Sequence, residues 1–169
     1  DTCSMVDVVL DVLLRIPGPY DQEVLLLQPT QPLRQPKHLQ RALELLTTGV
    51  SGVVSVTPLP QHSSPEWVCW IGELSGYLCP FDVKRGIFGG EPRDWSYVPS
   101  RRQNIPNWYT RDGTAYAFWR GTVNTSGNIY GAAVMPLIIP AAETCALDTL
   151  DDWAIAEQRV PAYSPDSVV

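Results

Sequence analysis

The stretch Glu23-Val24-Leu25-Leu26-Leu27-Gln28-Pro29-Thr30-Gln31-Pro32-Leu33-Arg34 changes character midway, and the change sets the fold. Glu23 to Leu27 reads as a short, continuously apolar strand, the pattern of a strand buried on both faces of a parallel sheet. Gln28 to Arg34 is then a turn-rich loop at the carboxyl end of that strand, because its prolines disfavour helix at the residues before them. Downstream, Leu39, Leu43 and Leu46 fall on one face of a helix from about Lys37 to Thr48, which Gly49 or Gly52 stops. Val53 to Val56 is the next buried strand, so strand, loop, helix and strand form a right-handed crossover unit. Upstream, Val8, Val9, Val12 and Leu13 mark a helix capped by Ser4 or Asp1 and ended near Pro17-Gly18-Pro19. The core is α/β.

From Pro58 to about Pro106 proline, glycine and tryptophan are dense and alternation is local, over Trp67 to Leu74 and Gly76 to Phe81. This reads as an inserted arm of short hairpins, with Gly86 to Ser100 as an exposed loop. Strands resume over Ala115 to Trp119 and over Ala132 to Ile139, a helix closes over Thr149 to Arg159, and residues 161–169 form a flexible tail. Residues 1–160 thus make a single α/β domain carrying the arm 58–106.

A 169-residue chain with a formal charge of −6 can bury one core, and its acidity argues against duplex DNA or an anionic membrane as partner. Any anionic ligand must be met locally. The four cysteines lack C-x-x-C spacing, and no apolar run approaches the ~20 residues of a spanning helix. Free thiols in a cytoplasmic, soluble protein are expected. His38 and His62 read as isolated, with no triad spacing around them.

Leu25 to Arg34 resembles the L-L-Q-P-T-S-P-L-R loop of the acylneuraminate cytidylyltransferases, the CMP-sialic acid synthetase-like family. In the same order, Ser51 to Thr57 resembles its D-S-V-V-S-V-T strand, Arg101-Arg102-Gln103-Asn104-Ile105-Pro106 its R-R-Q-D-L-P, and Asp112-Gly113-Thr114-Ala115-Tyr116 its N-G-A-I-Y. Tyr130-Gly131 and Leu147 to Trp153 fall in the places of Y-G and I-D-T-P-x-D-W. The family's opening strand and L-x-x-R-x-G-S-K loop have no counterpart in this sequence, so the resemblance covers the carboxyl-terminal part. It implies a three-layer, Rossmann-like, mostly parallel sheet flanked by helices, of the nucleotide-diphospho-sugar transferase type but truncated. The arm would serve a homodimer or higher homo-oligomer.

The resemblance implies nucleotidyl transfer from CTP to an acidic 2-keto sugar, with Mg²⁺ as cofactor. Gln28, Thr30, Gln31 and Arg34 then stand as nucleotide-binding candidates, since loops at the carboxyl ends of parallel strands form ligand crevices. Gln31 departs from the family's small serine. Arg102, Gln103, Asp112 and Tyr116 stand as sugar-binding candidates, a guanidinium being suited to a carboxylate. The arginine pair also fits a solvated surface, Asp112 a plain turn residue, and Tyr116 the core. Where the family carries D-x-D, this chain has Ala146-Leu147-Asp148. Asp148 is the catalytic and metal-ligand candidate, with a strand-end cap as its other reading. The competing function is a non-catalytic, degenerate cytidylyltransferase-like binding or oligomerisation module.

Overall fold

The computed structural model describes residues 3–71, 78–81, 95, 98–99 and 101–160, and of Trp70 and Arg102 the backbone alone. Asp1 as a cap, most of the loop 86–100 and the tail 161–169 lie outside the described residues. The chain forms two compact units, one of Asp1–Thr57 with Arg111–Val169, the other Pro58–Thr110.

In the first unit α1 (Met5–Arg15) starts from a reciprocal box: Ser4 Oγ accepts the Asp7 amide at 3.2 Å while Asp7 accepts the Ser4 amide at 3.1 Å. β1 (Glu23–Leu26) follows, then α2 (Pro36–Leu45), whose Pro36 sits where a missing N–H costs nothing. β2 spans Gly52–Pro58, and the 11-residue β5 (Tyr109–Trp119) runs directly into α3 (Arg120–Ser126). β6 (Val134–Ile138) and α4 (Leu150–Arg159) complete the unit. α4 carries the same kind of box between Thr149 and Asp152.

The four strands are ordered β1-β5-β2-β6. β1 pairs antiparallel with β5, Leu25 opposite Ala117, whereas β2 and β6 run parallel, Val54 opposite Pro136. The sheet is therefore mixed. β1 and β2 are also not neighbours, because β5 lies between them. That corrects the reading of β1 as a strand buried on both faces: with β5 on one side alone, Val24, Leu25 and Leu26 remain half-buried at an edge.

Alternation along β5 divides the core. Tyr116 and Phe118 pack with Val9 and Leu13 of α1 and Val123 of α3, while Ala115 and Ala117 pack with Ala42 of α2, Leu46, Val53 and Leu137. Helices thus cover both faces. Each large apolar side chain fully buried here, Phe118 among them, contributes about 1.5–3 kcal/mol.

α3 has no strong sequence signal, since Gly121, Thr122 and Val123 are weak helix formers. Packing of Val123, and the Ser126 hydroxyl bonded to Thr122 O at 2.7 Å, hold it, and Gly127 ends it at φ +65°. In the second unit β3 (Cys69–Ile71) and β4 (Leu78–Pro80) form an antiparallel pair. In the same unit the Trp108 indole donates to Glu66, 42 residues earlier, at 2.9 Å.

Candidate functional site

The loop after β1 is anchored by Leu33, buried with Gln31. Gln31 Nε2 donates to the carbonyl of Asp112, and its Oε1 accepts the Thr144 hydroxyl at 3.2 Å. Arg34 Nε donates to the carbonyl of Thr114 at 2.6 Å, and its Nη2 to the carbonyl of Gln28. Burial lowers the Arg34 pKa from its ordinary value, and the Asp112 carboxylate works against that shift. A guanidinium stays charged throughout, so its charge is directed at backbone dipoles.

β5 meets this loop at Gly113, which takes φ +75° within the strand. A Cβ there would stand 2.1 Å from Gln28 Oε1 and push that side chain aside, and the positive φ itself calls for glycine. The break turns Asp112 back on its own strand. Its carboxylate accepts the Thr114 amide at 3.1 Å and the Thr114 hydroxyl at 2.7 Å, which satisfies a buried charge. Tyr116, two residues on, belongs to the core cluster, with its ring 6.5 Å edge-on from Tyr130. Burial raises its pKa, as do Tyr130 and Asp112, against an opposing influence from Arg111.

The third segment follows the 3₁₀ turn Ala141–Glu143. Besides Thr144 on Gln31, the Leu147 amide donates to Thr30 O at 2.9 Å. Asp148 comes next and is exposed, with no partner for its carboxylate among the described residues. Its amide donates to Asp152 at 3.2 Å, and Asp152 also takes the Thr149 amide at 2.8 Å. The Thr149 hydroxyl, then these amides, hold the Asp152 carboxyl below the usual carboxylate range. Asp152 thus caps α4, while Asp148 is left to solvent.

The structure therefore gathers Gln28, Thr30, Gln31, Arg34 and Asp112, with the residue before Asp148 tied to Thr30, and it sets Tyr116 in the adjoining core. Gln103 lies exposed on the 3₁₀ turn Arg102–Asn104 of the other unit. Among the described residues no group of three or more His, Cys, Asp or Glu comes together. Asp148 offers one open carboxylate, the least that a Mg²⁺ site with water and phosphate oxygens in its other places would need.

The sequence reading passed over Thr114 and Thr144, whose contacts span 80 and 113 residues. His38, which read as isolated in the sequence, is instead buried with Nε2 2.8 Å from Glu143 Oε2. Lys37 Nζ reaches the same oxygen at 2.7 Å, and Lys37, then His38, hold the Glu143 carboxyl below its ordinary range.

No protein-family profile matches the chain. It is similar to the CMP-N,N'-diacetyllegionaminic acid synthase of Legionella pneumophila. The two are 27% identical over 161 residues, which is 94% of this chain and 63% of that protein. The chain thus spans less than two thirds of the relative it matches. No helix among the described residues is long and apolar enough to cross a membrane.

Proposed function

We propose that this chain belongs to a CMP-sugar synthase and takes part in nucleotidyl transfer from CTP to an acidic 2-keto sugar of the sialic acid kind. The observation that carries the reading is the gathering of Gln28–Arg34, Asp112–Thr114 and Thr144–Leu147, far apart in sequence, beside Asp148. Similarity to a protein that makes a CMP-sugar, over nearly the whole chain, supports it.

In this reading a sugar hydroxyl oxygen forms a bond to the α-phosphorus of CTP, the bond from that phosphorus to the bridging oxygen breaks, pyrophosphate leaves, and the hydroxyl proton passes to solvent. Gln28 and Thr30 orient the nucleotide, and Arg34 keeps their loop in shape. Asp112 and Tyr116 border the sugar, and Arg102 and Gln103 are proposed to meet a sugar carboxylate in a homodimer. Asp148 would hold Mg²⁺, which when bound neutralises phosphate charge.

The second reading, a non-catalytic binding or assembly module, is favoured by one observation: Gln31 and Arg34 are engaged by the protein itself. Calorimetric titration of CTP with Mg²⁺, followed by a pyrophosphate-release assay with sialic acid, separates the two. Binding with release supports the synthase; absence of any heat with CTP removes it and leaves the module.

A further inference from the structure

His38 lies in the first turn of α2 and is 5% exposed. Its Nδ1 accepts the Gln35 amide at 3.3 Å, so in the neutral ring the proton sits on Nε2, which donates to Glu143 at 2.8 Å. The bond joins residues 105 positions apart. Lys37 also reaches Glu143, but its side chain is 59% exposed, and a solvent-screened pair contributes little. Of the other charged groups around the same cleft of about 420 Å³, Arg41 and Glu44 pair with each other at 2.9 Å, and Ile138, Ile139 and Pro140 supply apolar wall. Lys37 acts more strongly on the Glu143 charge, while the buried imidazole, itself held by the Gln35 amide, is the group placed to fix Glu143 in position.

The residues just past Glu143 give the bond its meaning. Thr144 bonds Gln31 and Leu147 bonds Thr30, so three ties in five residues fasten this segment to the Gln28–Arg34 loop and the start of α2. We propose that His38 is a positioning residue: through Glu143 it pins residues 141–148 against the loop and thereby places Asp148 beside the nucleotide. The placement of Asp148 beside a nucleotide rests on the synthase reading; the pin itself does not.

The test uses hydrogen exchange at the Leu147 amide in the full chain, together with CTP titration. His38→Gln retains a donor at the reach of Nε2, and His38→Asn retains an acceptor at the reach of Nδ1. With a pin, His38→Asn exchanges at Leu147 on the order of tenfold faster than the parent, while His38→Gln stays close to it. Glu143→Ala leaves the α2 cap intact and opens Leu147 in the same way, while Lys37→Met, which removes only the exposed partner, does not. This keeps the test decisive should His38→Asn fail to fold. Parent-like protection in Glu143→Ala, a Lys37→Met variant that opens as much as Glu143→Ala, or a His38→Gln variant that opens as much as His38→Asn, overturns the pin. Where the parent binds CTP, His38→Asn weakens that binding and His38→Gln restores it. A parent that binds no CTP removes the synthase reading, and the exchange data still decide the pin.

Discussion

Gln28–Arg34 and Ala146–Asp148 meet at one site and are built in opposite ways. In the loop, the Gln31 amide and the Arg34 guanidinium are committed to backbone carbonyls of three different residues. At the other stretch the Leu147 amide is bonded, but the Asp148 carboxylate faces solvent with no partner among the described residues. A ligand approaching the loop must compete with bonds already made, whereas one approaching Asp148 displaces water alone. The loop supplies shape and the aspartate supplies charge. Substitutions in the loop should therefore register first as stability, and those at Asp148 first as binding.

The largest effect is expected where the loop touches β5. Gly113→Ala forces an L residue to φ +75° and displaces the Gln28 side chain, at a cost of about 3 kcal/mol that comes mainly from the backbone. Thermal unfolding measures it. A variant as stable as the parent would mean that loop and strand are not packed as described, and the contrast between the two halves would fail with it.

Arg34→Lys comes next. The ammonium keeps the charge but cannot span the carbonyls of Gln28 and Thr114 as the planar fork does, so the loss is about 2 kcal/mol. The comparison sharpens if CTP affinity falls no further than loosening of the loop explains. A normal melting temperature with abolished CTP binding would instead make Arg34 a direct phosphate contact and erase the division of labour.

These two residues also show how far the sequence could be read. The loop was legible because proline and a strand end leave few conformations, and α1, α2, β2 and α4 were legible from periodicity and caps. The edge position of β1 was not: Val24 to Leu27 and Val53 to Val56 look alike as strings, and only the insertion of β5 leaves one at the border and the other inside. Nor could spacing reveal that Gln31 meets Thr144 or that His38 meets Glu143, since such pairs exist only once the sheet brings distant segments together. Asp112 entered the site by resemblance, with a turn residue as its other reading, and the bonds its carboxylate makes to Thr114 appear only in the folded strand.

A smaller effect is expected in acid. Glu143 has its pKa depressed by Lys37 and His38, so it binds its proton less readily when folded than when unfolded. The resulting stability is present above the unfolded carboxylate value and is lost as the pH falls through the lower folded value. Comparison of the parent with Glu143→Gln by thermal unfolding should show two curves that are separated at neutral pH and converge below about pH 4. A constant separation down to about pH 2 would detach Glu143 from the ties that hold the Asp148 segment.

Asp148→Ala should change stability least, within about 0.5 kcal/mol, because the removed carboxylate is exposed and the α4 cap is made by Asp152 and Thr149. Its effect belongs to ligand binding. If the aspartate is the open half of the site, the variant melts with the parent yet loses the Mg²⁺-dependent part of CTP binding, which titration with and without the metal isolates. If instead the variant unfolds earlier, Asp148 is a structural cap like its neighbour. Both halves of the site would then be closed on themselves, and the module reading would have the better claim.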